Sequence, residues 1–195
     1  MSKMIVIANV VLLLVDFIFD IYIIILILRL LMQKLGASYH NLVAQFVIRT
    51  TNLFVLPLRC IIFGFKGFEL AVIFLIIVFS FIQSFLLVSL RFRLVPHFIG
   101  LLVISTGALG NKFMNLYFYM IIMRIIMSWV VSSQQNPITE IIFLITEPVM
   151  RPIRRLIPMI IGFDFTPFVL LILFPLVSFL IFDPLTNVGM RLALN

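Results

Sequence analysis

Apolar residues run along this chain in blocks longer than a soluble core helix needs, and the polar residues collect at a few points between them. The first block, residues 5–31, reads IVIANVVLLLVDFIFDIYIIILILRLL and contains three charged residues, Asp16, Asp20 and Arg29. At about 1.5 Å of rise per residue, such a helix outruns a hydrocarbon core of about 30 Å, so it is expected to tilt or protrude. A second block, residues 70–90, closes at Arg91 and Arg93. Residues 94–131 are apolar for too long to form one perpendicular span. Gly100, Gly107 and Gly110, followed by Asn111 and Lys112, predict a break there. The expected result is a half-inserted lead-in over 96–109 and a span from 113 to 131, with two tightly joined spans as the alternative. A last, shorter span is expected from Thr166-Pro167 to about Phe182, ended by Asp183-Pro184.

The segments between these blocks have a different period. Asn41 is placed to cap LVAQFVIRTTNLF, which is too short and polar to span. Its Leu42, Phe46 and Leu53 fall on one side and Gln45, Arg49 and Asn52 nearer another, as in a helix lying at the membrane surface. Pro57 is expected to restart the chain, and Gly64 and Gly67 to turn it. In the later copy of this pattern, Asn136 caps and Pro137 takes the first helical position. Pro148, Pro152 and Pro158 are expected to divide the rest of that copy's polar segment into short surface turns, because proline lacks the amide donor. Asp164 or Thr166 can cap the last span, and Glu69 the second.

Composition removes the soluble alternatives. Of 195 residues, 64% are hydrophobic and 11% charged, a proportion that a folded soluble domain cannot hide. The first block is too long for a secretory signal and no small-residue cleavage pattern comes after it, so a retained span is expected. The net charge of +7 points to topology and anionic headgroups before nucleic acid, for which no basic surface with interleaved aromatics is visible. Cys60, the one cysteine, excludes an intrachain disulfide and is expected to be a buried structural thiol.

At an offset of 95 the polar, proline and glycine positions of the two halves coincide. Tyr22 falls on Tyr117, Arg29 on Arg124, Asn41 on Asn136 and Thr51 on Thr146; Pro57 falls on Pro152, Arg59 on Arg154, Gly67 on Gly162 and Glu69 on Asp164. Coincidence in one unbroken register predicts an all-α polytopic membrane protein of two tandem parallel repeats, residues 1–95 and 96–195. Each repeat is two transmembrane helices joined by an interfacial helix and a Pro/Arg turn. Lys34, Arg49, Arg59, Lys66, Arg151, Arg154 and Arg155 then share one side, against Lys3, Arg91, Arg93 and Arg191 on the other. This distribution favours cytoplasmic large loops and external termini.

The spaced residues Thr146-Glu147-Pro148, Pro152-Ile153-Arg154-Arg155-Leu156-Ile157-Pro158 and Gly162-Phe163-Asp164-Phe165-Thr166-Pro167 closely resemble the signature of the YggT (YlmG-like) family. With the 95-residue register, the resemblance extends over nearly the whole chain. Ile161 and Thr166 depart from that signature, and in the first copy Leu53, Cys60 and Phe63 stand where Pro, Arg and Pro are usual. The resemblance implies a small multipass protein of the bacterial plasma membrane or the chloroplast membranes, with no established enzymatic activity. It implies roles in osmotic tolerance, division, or nucleoid and thylakoid organisation; one plastid relative resembles a factor for covalent haem attachment to a cytochrome b.

Candidate chemistry is sparse. Arg151, Arg154 and Arg155, with Arg59 from the first copy, form an electropositive surface suited to anionic headgroups or an acidic partner segment; internal pairing with Glu147 or Asp164 is the other reading. Pro57, Gly67, Thr146, Pro148, Pro152, Pro158, Gly162, Asp164 and Pro167 are read as residues that set its shape. Asp16, Asp20, Arg29 and Arg124 are intramembrane polar residues, the two acids being expected to pair with Arg124 or Lys112. His40 and His97 are isolated, and no hydrolase, phosphate-loop or metalloprotease motif is present. The expectation is therefore a non-enzymatic assembly or organisation factor for membrane complexes, division or osmotic homeostasis. It needs no cofactor or metal, and its partners are membrane lipids, a membrane protein or further copies of itself. An oligomeric ion or solute transport component is the alternative.

Overall fold

The computed structural model describes residues 2–60, 69–130, 136–156 and 164–194; Gly64, Gly67, Pro158 and Gly162 lie outside these. The described residues are almost entirely helical, with short non-helical connections at 35–41 and 93–97. The order is α1 (Ser2–Lys34), α2 (Leu42–Arg59), α3 (Leu70–Phe92), α4 (Phe98–Val130), α5 (Pro137–Leu156), then α6 (Thr166–Val177), a π-helical turn (Ser178–Phe182) and α7 (Asp183–Leu194) in one continuous rod. Among the described residues, three stretches are long and apolar enough to cross a membrane: Asn9–Lys34, Leu70–Phe92 and Thr166–Leu194. Val10, Leu13, Phe17 and Ile18 of α1 and Ile172 and Phe179 of the last rod are exposed, as suits side chains that meet lipid.

The core lies between these helices and the two surface helices. α2 buries Ala44, Val47, Thr51 and Val55 and α5 buries Thr139, Ile142, Thr146 and Met150, the same four positions shifted by 95. The large apolar residues of α2, Leu42, Phe46 and Leu53, are exposed, so its packed face is the one carrying the small side chains. The ring pair Tyr22–Phe79 (4.9 Å) joining α1 to α3 likewise recurs, at the same shift, as Tyr117–Phe174 (5.7 Å) joining α4 to α6.

Both expected caps at the surface helices are present. Asn41 accepts from the amides of Val43 and Ala44, and Asn136 from that of Ile138. The Asn41 side chain also donates to the Pro137 carbonyl and to Glu140, each at 2.8 Å, tying α2 to α5.

Four sequence expectations are corrected. First, α4 is one unbroken helix of 33 residues with no lead-in over 96–109. Its glycines are contact surfaces: a Cβ on Gly100 would lie 2.3 Å from the Ala193 nitrogen, and one on Gly107 2.6 Å from Thr186 Cγ2. Gly189 returns the contact, its Cβ position being 2.7 Å from the Ile104 nitrogen, so the helices approach as closely as small residues allow. Second, Pro57, Pro148 and Pro152 lie inside helices and do not divide them. All three are exposed, where the carbonyls they leave without a donor can be solvated. Third, Asp183-Pro184 does not end the last span. The π turn places the Asp183 amide on the Ser178 carbonyl, and this wider turn accommodates the proline ring as the helix runs on to Leu194. Fourth, Cys60 is exposed.

Candidate functional site: two arginine clusters and an exposed basic surface

The two intramembrane arginines do not join Asp16 and Asp20. Each instead binds the next surface helix along the chain. Arg29 on α1, only 4% exposed, donates to Thr51 Oγ1 (2.6 Å) and Asn52 Oδ1 (2.9 Å) on α2, and through Nε to Glu69 at the start of α3 (3.1 Å). Arg124 on α4 donates to Thr146 Oγ1 (2.7 Å) and Glu147 Oε2 (2.8 Å) on α5. Thr51 and Thr146 are both fully buried, and each passes its own hydroxyl proton to the carbonyl four residues back, Val47 or Ile142. A threonine serves here because its hydroxyl donates to the helix while accepting from a guanidinium.

The arginine that ends each surface helix closes the cluster. Arg59 pairs with Glu69, and Arg154 pairs with Asp164 (2.9 Å) and Glu147 (3.3 Å). The expectation that Glu69 caps α3 is thereby corrected, since its carboxylate makes no cap and is held by two arginines. Asp164 precedes the cap position of α6, which Phe165 occupies, and accepts from the first helical amide, Thr166, at 2.9 Å while paired with Arg154. Arg59 and Arg154 are thus internal partners. Of the four arginines expected at the surface, Arg59, Arg151 and Arg155 are exposed, and Arg151 and Arg155 make no ion pair among the described residues.

Electrostatics reflects this wiring. The hydrogen bond from Arg124 holds the Glu147 carboxyl below its ordinary value against the effect of burial, with Arg154 and Arg151 adding to it. Burial pushes the Asp164 carboxyl up, but donation from Thr166 and the charge of Arg154 outweigh it and the net direction is down. Burial, with the repulsion of Arg29, pulls the Arg59 guanidinium down.

The copies differ at two positions that the matching of like residues passed over. Asn52 stands where the second copy has Glu147, so two guanidinium groups face one carboxylate in the first cluster and two face two in the second. Ile48 stands where the second copy has Phe143, whose ring centroid lies 4.2 Å from the Arg124 guanidinium carbon. The first cluster instead opens on a cavity of about 570 Å³ whose lining includes Arg29, Gln33, His40, Asn52, Arg59 and Glu69. Comparing unlike polar residues at the 95 offset would have found Asn52 against Glu147, whereas Ile48 against Phe143 is an apolar exchange that carries no such signal.

A separate polar group lies deeper. Gln83 on α3 donates to Asp16 (2.7 Å) and Asp20 (2.8 Å) on α1, and Lys112 of α4 pairs with Asp20. Lys112 is thus the partner of Asp20, while Asp16 is held by Gln83, and Asn111 donates to Asp183 (2.9 Å). This seam joins α1, α3, α4 and the last rod across the interior.

A helical membrane protein that clamps two surface helices with buried arginines is the class this arrangement defines. The family model CCB3/YggT matches residues 8–90 and 104–185, and the chain belongs to that family. It is 34% identical over 176 residues to an uncharacterised protein of Vibrio alginolyticus (87% of this chain, 92% of that one). It is 31% identical over 167 residues to an uncharacterised protein of Pseudomonas aeruginosa, covering 85% of each. It is also 30% identical over 170 residues to the uncharacterised protein YggT of Escherichia coli K12 (87% and 88%). No solved structure matches.

Proposed function

We propose that this protein is a non-enzymatic assembly or organisation factor of the bacterial inner membrane, acting in division, osmotic homeostasis or the building of membrane complexes. Its architecture is two tandem parallel repeats, each a pair of membrane helices bridged by a surface helix, with α4 as the fourth spanning helix. The recurrence of the arginine–threonine clamp, the buried stripe and the ring pair at one offset supports that duplication. The observation that carries the functional reading is the end of α5. Arg151 and Arg155 are exposed and unpaired among the described residues, beside exposed Pro148, Pro152 and Leu156. Guanidinium groups beside apolar side chains suit anionic headgroups and acidic segments of a partner at the membrane surface.

The test is in-cell photocrosslinking from position 156, with position 95 on the opposite turn as the reference. The expected result is adducts with anionic phospholipid or an acidic protein segment that disappear in Arg151→Glu/Arg155→Glu. Adducts no different from those at position 95 would refute the reading. A second reading, an oligomeric ion or solute transport component, is favoured by the seam of Asp16, Asp20, Gln83 and Lys112. Ion flux into proteoliposomes that Asp16→Asn abolishes would establish it in place of the first.

A further inference from the structure

The two arginine clusters share a plan but not a charge balance, and the difference coincides with a cavity. In the second cluster Arg124 and Arg154 meet Glu147 and Asp164, and the Phe143 ring lies against the Arg124 guanidinium. That cluster is neutral by formal charge, and the open groove of about 460 Å³ beside it is lined by Phe143, Glu147 and Arg151 but by neither Arg124 nor Arg154. In the first, the one carboxylate that Arg29 and Arg59 meet among the described residues is Glu69, which leaves one positive charge there, and Asn52 contributes an amide where Glu147 stands in the second. Buried Arg29 is satisfied by Glu69, Thr51 and Asn52, so the excess charge falls on Arg59, which shares that carboxylate from the exposed edge of the cluster and can take a further anion there. The space for that anion is present. The cavity of about 570 Å³ is bordered by both guanidinium groups and by Gln33, Ser38, Tyr39 and His40. Its volume falls in the range of small-ligand sites, about 300–1,000 Å³.

We propose that the first arginine cluster is a binding site for a singly charged phosphodiester, held by Arg29 and Arg59 with Asn52 and Gln33 as neutral partners. One negative charge balances the cluster, and guanidinium groups match phosphate oxygens in geometry as well as charge. The turn between α1 and α2, which supplies Ser38, Tyr39 and His40, forms the mouth. A phosphodiester could arrive there as a lipid headgroup or as a free headgroup ester. The second cluster binds none, because Glu147 neutralises it and Phe143 occupies the approach. This site is separate from the exposed Arg151 and Arg155 and does not depend on the role proposed for them.

Calorimetric titration of the purified full chain in a neutral maltoside detergent tests the proposal. The probes are dihexanoyl phosphatidylglycerol below its micellar concentration, its deacylated headgroup glycerophosphoglycerol, and inorganic chloride as the control anion. Saturable binding of the phosphatidylglycerol at one site per chain is expected. Binding of the deacylated probe with similar affinity identifies a free ester as the ligand class, and its failure to bind identifies the lipid. Asn52→Glu copies the second cluster's carboxylate while keeping both arginines, and should weaken binding by at least about tenfold, equivalent to about 1.4 kcal/mol. Ile48→Phe copies the Phe143 ring and should also abolish binding, whereas Arg151→Glu/Arg155→Glu should leave it unchanged. Equal affinity in wild type and Asn52→Glu, both folded by circular dichroism, overturns the proposal, as does the absence of saturable binding of either phosphodiester.

Discussion

Replacing Arg124 by Met keeps most of the side-chain stem and removes the guanidinium, which isolates the worth of the second clamp. Arg124 is 8% exposed and makes hydrogen bonds of 2.7 Å to Thr146 and 2.8 Å to Glu147. Removing one partner of a buried pair costs about 3–5 kcal/mol when the other charge is stranded. Here the stranding is partial, because the Glu147 side chain is 35% exposed and keeps Arg154 at 3.3 Å. Thr146 also keeps its hydrogen bond to Ile142. The expected loss is therefore about 2–3 kcal/mol, at or below the bottom of that range. Adding Glu147→Gln removes the stranded carboxylate and should return about half of that loss, and the coupling is that return plus the cost of Glu147→Gln alone, so it exceeds about 1 kcal/mol. The assay is reversible unfolding in mixed micelles, followed by far-ultraviolet circular dichroism across a double-mutant cycle. A single-mutant loss below about 0.5 kcal/mol, or a further loss on adding Glu147→Gln, would show that no charge is stranded and that Arg124 does not hold α5 in place.

Other positions give independent tests. Asn41→Ala removes a helix cap and the link from α2 to Pro137 and Glu140, so it should cost about 2 kcal/mol, against about 1 kcal/mol for the cap alone at Asn136→Ala; the same unfolding assay measures both. Gly189→Ala brings a methyl to within 2.7 Å of the Ile104 backbone nitrogen and should destabilise by about 1–3 kcal/mol as α7 is forced off α4. Glu147 and Asp164 titrate below their ordinary values in the folded chain, so the stability they contribute is complete above about pH 4–5 and disappears as pH falls through the folded values. Melting temperature should accordingly hold from pH 7 to about pH 5 and fall below about pH 4, with a shallower fall in Glu147→Gln.

The surface helices and their caps were legible because Asn41 and Asn136 precede apolar runs of helical period, and a cap is a local device. The partners of Arg29 and Arg124 were not, since Thr51 and Thr146 read as ordinary helix residues until folding brings them against another helix. Glycine and proline misled for a related reason. Gly100, Gly107 and Gly110 lower helix propensity locally, yet in α4 their missing side chains permit the approach of α7 and, at Gly110, of Phe182 in the π turn, which outweighs that preference. Pro148 and Pro152 break a helix when their orphaned carbonyls are buried, and periodicity alone did not reveal that both lie on the exposed face. Asp164 was read as a cap; it lies one residue before the cap position and accepts from the first helical amide, and its pairing with Arg154 could not be read from sequence spacing.

Parallel repeats require that the ends of α2 and α5 lie on one side of the membrane. The native exposed Cys60 reports on the first, and Arg155→Cys in a Cys60→Ser background reports on the second. With a membrane-impermeant maleimide, both thiols should be protected in intact cells and both labelled after permeabilisation. Labelling of one from outside while the other stays protected would contradict the duplicated, same-face arrangement of the two surface helices.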